Sequence, residues 1–133
     1  MSRLSIKTYK QSSIGGSAEN PHQLVSAIFK QLLGSIAAAK GAIAQKNIEQ
    51  RNTLINKAIS LISVLESSLD FDVESDISNN LASLYEYCSI LLFQANIKND
   101  ETKLEEVIQI LLPIKSAWDQ IPIEERNKTG FTK

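Results

Sequence analysis

Four carboxylates alternate as Asp70, Asp72, Glu74 and Asp76, and carboxylates at that spacing are what a calcium loop uses. The rest of the loop does not fit. Ser75 stands where such a loop turns sharply on glycine, and Leu81 where a bidentate glutamate closes the site. The four acids read instead as a solvated connection between helices. His22 is the single histidine, and one histidine on a helical bundle could carry a phosphoryl group. It falls beside a helix cap, in the first turn, where an imidazolium opposes the helix dipole. His22 and Cys88 cannot supply the four ligands of a zinc site. There is no glycine-rich phosphate cradle, no nucleophile that one histidine would complete into a triad, and no Glu-x-x-His pair for a di-iron centre. Tyr85 and Tyr87 could stack on bases, but no basic groove accompanies them, so nucleic acid is not expected. The sequence predicts no enzyme, no catalytic residue, no metal and no cofactor. It points to binding.

The elements that would carry a binding surface are two consecutive helical patterns between Asp76 and Ile121, joined by the turn Ala95-Asn96-Ile97-Lys98-Asn99-Asp100. Ile77, Leu81, Leu84, Cys88, Leu91 and Ala95 make one apolar seam, and Leu104, Val107, Leu111, Ile114, Trp118 and Ile121 make the other. Apolar residues also lie off these seams: Tyr85, Tyr87, Ile90, Leu92 and Phe93 on the first helix, Ile110 and Leu112 on the second. Such a surplus serves a broadened core, a homodimer seam or a groove for a partner's amphipathic helix. Periodicity alone does not choose among them.

Two further helices precede these. Asn20 is the expected cap of the first, with Pro21 at its first position and Gln23 at capping-box spacing. Leu24, Ile28, Leu32 and Ile36 form its stripe, broadened by Val25, Phe29 and Leu33. Ala37-Ala38-Ala39, Gly41 and Ala42 keep it thin, so a neighbour is expected to approach closely. The second helix is expected over Ile48 to Leu69, with Ile55, Ala58, Ile62, Leu65 and Leu69 as its seam. Asp76 is the expected cap of the third helix, and Thr102 with Glu105 the capping box of the fourth. Pro113 should kink the fourth. The predicted fold is all-α, an antiparallel up-down four-helix bundle over 20–121, with an N-terminal arm at 1–19 and a flexible polar tail at 122–133.

Composition agrees with one helical domain: 133 residues, 43% hydrophobic, 6% aromatic, net charge −1. The charge is unevenly spread. Pro21 to Lys46 carries Lys30, Lys40 and Lys46 and no acid, whereas ten acidic residues face three lysines between Asp70 and Ile121. Pairing between neighbouring helices is the simplest use of that polarity. A lone cysteine fits a reducing compartment. No apolar run approaches the length of a membrane span, and no signal peptide is recognisable, so a cytoplasmic protein without membrane insertion is expected.

An ordered set of short motifs adds to this reading. Leu69-Asp70-Phe71, Asn80-Leu81-x-x-Leu84-Tyr85-Glu86-Tyr87, Ala95-Asn96-Ile97-Lys98-Asn99-Asp100, Leu104-Glu105-Glu106-Val107 and Ala117-Trp118 together resemble the FliS family of flagellar secretion chaperones. Tyr9 matches a tyrosine of that family's arm, and Asn20-Pro21-x-x-Leu24 its Ser-Pro-x-x-Leu, so the resemblance covers residues 5–121. Ile28-Phe29-Lys30-Gln31 departs from the family's Leu-Tyr-Asp-Gly, and Pro113 lies in a helix the family keeps straight. The resemblance implies a bacterial cytosolic chaperone that binds the disordered C-terminal region of flagellin, prevents its premature polymerisation and assists delivery to the flagellar type III export apparatus. Export-gate components or a co-chaperone are further partners it suggests. Its groove is expected at Tyr85, Tyr87, Ile90, Leu92 and Ile97, and its arm contacts at Tyr9 and Ile14. The alternative is a structural bundle subunit that uses the surplus apolar face to form a homodimer or larger oligomer.

Overall fold

Proline at a first helical position forfeits no backbone bond, and the apolar stripe behind it keeps one face continuous, so α1 runs over Pro21–Ala44. The computed structural model of the chain describes residues 21–133, apart from the side chain of Asn127. The expected arm with Tyr9 and Ile14, and the expected cap Asn20, lie outside the described residues. α1 ends in a left-handed turn without glycine: Lys46 takes φ 59°, and the amides of Lys46 and Asn47 bond back to the carbonyls of Ile43 and Ala42 at 3.1 and 2.9 Å. Asn47 then opens α2 (Ile48–Ser67), its side chain accepting from the Gln50 amide at 3.0 Å.

The same device joins α3 (Ile77–Lys98) to α4 (Glu101–Gln120). Asn99 takes φ 53°, the Asp100 amide bonds to the Ala95 carbonyl at 3.0 Å, and the Asp100 carboxylate accepts from the Thr102 amide at 2.9 Å. Arg51 of α2 donates to the side chains of Asn96 and Asn99 at 2.9 and 2.8 Å. Asn96, Asn99 and Asp100 of this turn motif thereby have structural duties, whereas Ile97 is exposed.

Several local expectations are corrected. Asp76 precedes α3 but makes no capping bond; the Ser75 hydroxyl accepts from the Ile77 amide at 3.3 Å instead. Glu105 does not close a capping box on Thr102. Its carboxylate accepts from Lys40 Nζ at 2.6 Å and from Gln109 at 3.1 Å, so the long-range cation wins over the local amide. α2 stops at Ser67, with Ser68 and Leu69 buried just beyond it. Apart from these corrections, α4 continues past Pro113, which is solvent-exposed.

The helices form a ring in which α1 packs on α2 and α4, and α3 packs on the same two, as an up-down four-helix bundle requires. The core takes Ile28, Phe29, Leu32 and Ile36 from α1, Ile55 and Ile62 from α2, Tyr85, Cys88 and Leu92 from α3, and Leu104, Leu111 and Trp118 from α4. The basic α1 and acidic α4 are neighbours, joined through Lys40 to Glu105 at 2.6 Å and to Glu101 at 4.0 Å. Both partners are largely solvated, so the pair sets orientation more than stability. By length and composition α1 alone among the described helices could cross a bilayer, which the search for unbroken apolar runs did not anticipate. Its fully buried stripe shows the other use of such a helix, one wall of a bundle core.

The small residues of α1 divide differently from the expectation. Ala39 and Ala42 are buried, whereas Gly34 and Gly41 are exposed and a Cβ at either would meet nothing within 4 Å. Neither glycine is needed for a close approach. Gly34→Ala and Gly41→Ala should therefore each raise the unfolding free energy by about 0.5–1 kcal/mol, read from denaturant midpoints. An unchanged midpoint would show that these positions are constrained by something other than helix propensity.

Residues 122–133, expected to form a flexible tail, instead follow α4 with a short 3-10 helix (Ile123–Lys128) and return to the bundle. The Asp70 amide donates to the Gly130 carbonyl at 3.1 Å, and the Lys133 amide to the Ser68 carbonyl at 3.0 Å. Phe131 is buried with its ring centroid 5.2 Å from that of Trp118. The polarity of this stretch is real, but one buried phenylalanine and the hydrogen bonds beside it anchor the segment.

Candidate binding surface

Helix α3 decides which apolar residues are available to a partner. Ile77 and Leu84, placed on the expected seam, are 38% and 37% exposed, while Tyr85 and Leu92, placed off it, are 1% and 0% exposed. The buried arc is thus rotated by part of a turn and centred on Leu81, Tyr85, Cys88, Leu92 and Ala95. Flanking by both α2 and α4 makes that arc wider than one seam. Tyr85 and Leu92 are therefore core residues, which corrects their expected place in a partner groove. Burial pushes the Tyr85 phenol well above its usual range and the Cys88 thiol up to about 12, so neither ionises near neutrality.

Tyr87, Ile90 and Ile97 are exposed, as is Phe93 between them. Ile90, Phe93 and Ile97 occupy neighbouring turns of α3 and form a ridge that no described residue covers. The Tyr87 hydroxyl donates to Glu106 of α4 at 2.6 Å, which holds the phenol protonated and fixes its ring across the α3–α4 boundary.

Below that hydrogen bond the two helices leave a cleft of about 340 Å³, lined by Ile77, Asn80, Leu81, Pro113, Ile114, Ala117 and Phe131. Its wall is almost wholly apolar. Leu84 and Ile110 fall one turn further along the same two stripes, exposed and half-buried respectively, and Tyr87 and Glu106 one turn beyond. A continuous apolar track therefore runs about 15 Å along α3, from Ile77 to Tyr87. It continues as the ridge at Ile90, Phe93 and Ile97. Sequence spacing missed Leu84 and Ile77 because it assigned them to the core, and missed Pro113, Ala117 and Phe131 because none belongs to a helical apolar stripe. The one signal for Phe131 was its isolation in a polar stretch beside Gly130.

At the Phe131 end of the track, the Trp118 ring packs with both Phe131 and His22, whose ring centroid lies 4.8 Å away. The indole Nε1 donates to the His22 carbonyl at 3.3 Å. Burial lowers the His22 pKa, Arg126 lowers it further, and Asp119 opposes both. The imidazole is thus held neutral as a packing group. Around the α2–α3 connection, Asp70 accepts from the Asp72 amide at 3.0 Å and closes its own turn. Among the described residues no three potential metal ligands converge.

Comparison with known proteins places this sequence in a family. The sequence model of the family described as Flagellar protein FliS matches residues 1–125. The chain is 38% identical over 130 residues to the flagellar secretion chaperone FliS of Vibrio cholerae, covering 96% of each protein. It is 39% identical over 118 residues to the flagellar secretion chaperone FliSB of Pseudomonas aeruginosa, covering 87% of this chain and 94% of that one. With FliS of Salmonella typhimurium the identity is 34% over 119 residues, 87% of this chain and 88% of the relative. These relatives are named as chaperones rather than as enzymes. A family match over residues 1–125, relatives of 34–39% identity over most of both chains and an all-helical bundle agree: the chain belongs to the FliS family of flagellar proteins.

Proposed function

We propose that this protein is a cytosolic export chaperone that binds the C-terminal region of flagellin, keeps it from polymerising prematurely and assists its delivery to the flagellar export apparatus. The observation that carries the reading is α3. Along its whole length it keeps Ile77, Leu84, Tyr87, Ile90, Phe93 and Ile97 exposed, although the bundle already has a complete core. Exposed apolar surface of that extent on a folded protein marks an interaction site. A flagellin terminal segment is its natural counterpart, because helices that pack on other subunits in a filament expose apolar residues before assembly. The track between α3 and α4 would accept an amphipathic helix by its i, i+3/i+4 and i+7 anchors. Ordering the client opposes binding, so affinity depends on a few well-seated anchors rather than on total area.

Titration calorimetry with a peptide from the C-terminal helical region of its own bacterium's flagellin tests this. Micromolar or tighter binding near one-to-one, with a negative heat-capacity change, is the expected result. Absence of binding, together with a stable homo-oligomer by light scattering, would overturn it in favour of self-assembly through the same face.

A further inference from the structure

We propose that the seat of Phe131 is an anchor pocket for a bulky apolar side chain of the client, and that the chain's own segment Thr129–Lys133 is a strap that fills this pocket until a client displaces it. The proposal rests on the chaperone reading above and adds to it a specific pocket and a competitor. Phe131 lines the open cleft between α3 and α4 together with Ile77, Leu81 and Ala117, so its seat and the empty cleft are one continuous apolar space. The exposed track along α3 ends at this ring. A client helix entering the track meets Phe131, whose ring centroid lies 5.2 Å from that of the Trp118 indole.

The strap is held lightly. Three hydrogen bonds join it to the α2–α3 connection: Gly130 and Thr129 carbonyls accept from the Asp70 amide at 3.1 Å and from the Ser75 hydroxyl at 3.2 Å, and the Lys133 amide donates to Ser68 at 3.0 Å. No ion pair among the described residues involves it. Gly130, Phe131 and Thr132 are buried, but Phe131 alone buries a large apolar side chain, and the backbone entropy of five residues is of the same order as what that ring and those bonds gain. The 3-10 helix before it has an exposed Ile123, so the strap can swing without dismantling a packed element. When it leaves, Trp118 keeps its other supports, the bond to the His22 carbonyl and the His22 ring. The core survives and the part of the indole packed against Phe131 becomes available.

Gly130 offers a way to open the strap while leaving Phe131 in the chain. It sits at φ +94°, and a Cβ there would lie 3.2 Å from Ser78 and 3.4 Å from the Asp70 carbonyl. Alanine at this position is strained in its backbone and crowded in the closed state. The test compares wild type, Gly130→Ala and Phe131→Ala in calorimetry with the flagellin peptide, with Trp118 emission and binding of a hydrophobic dye read in parallel. A strap that competes reduces the apparent affinity by the fraction of molecules in which the seat is open. Both variants should therefore bind the peptide about three- to tenfold more tightly, show a shifted Trp118 emission before peptide is added, and bind more dye. Peptide should reverse the emission shift of the variants, because the client's apolar side chain refills the seat beside Trp118. Peptide affinity unchanged or weaker in both variants, with wild type still binding, would overturn the strap and leave the chaperone reading standing. Binding by neither wild type nor variants would overturn the chaperone reading and the client role of the seat together, and unchanged dye binding in the variants would then also overturn the opening itself.

Discussion

Leu92→Ala should destabilise the bundle by about 2–5 kcal/mol, the range for a large aliphatic side chain removed from a well-packed core. Leu92 is fully buried among residues of all four helices, and the space it leaves can close only partly. Urea unfolding measures the loss directly, and the slope of the transition should be unchanged if the native state stays compact. Tyr87→Ala is the informative companion. Its ring is largely solvated and its hydroxyl hydrogen bond is made at the surface, so its midpoint should shift far less than that of Leu92→Ala. Equal losses from the two substitutions would mean that α3 is rotated relative to the arrangement described above.

The second large effect belongs to binding. Replacing Ile90 and Ile97 together by glutamate should weaken association with the flagellin peptide at least about tenfold, because each anchor of this size contributes about 1–2 kcal/mol and a carboxylate on the ridge must be desolvated. Both positions are exposed, and glutamate is a good helix former, so the unfolding midpoint should move little. Calorimetry and denaturation on the same variant separate the outcomes. Lost binding with preserved stability supports a client on the ridge. Preserved binding would confine the client to the α3–α4 cleft and its continuation past Leu84. Both predictions turn on one helix, since α3 carries core and candidate surface on faces less than half a turn apart.

That division could not be made from spacing. The stripes Ile77-Leu81-Leu84-Cys88 and Tyr85-Cys88-Leu92 are equally good helical patterns, and both are apolar. Which one is buried depends on where α2 and α4 stand around α3, a property of the assembled ring and of no single helix. Glu105 makes the same point at the level of charge: its spacing to Thr102 suits a cap, but Lys40, far away in the chain, reaches it at 2.6 Å. Phe131 makes it for the connection after α4. Nothing local in a polar stretch says that one ring will find Trp118, because the pocket is assembled from α3 and α4.

What the sequence determined by itself was everything that acts within one or two helical turns. The four helices, the seams of α1, α2 and α4, the place of the turn between α3 and α4, and the ordered motifs of the FliS family are all local or additive along the chain. Each follows from backbone geometry and the period of the apolar residues. Only the tertiary structure decided which face of α3 stays in water, where the cleft beside Pro113 and Ala117 opens, and what closes its end. Those outcomes depend on the packing of several elements at once, and burial is a property of neighbours that a periodic pattern does not name.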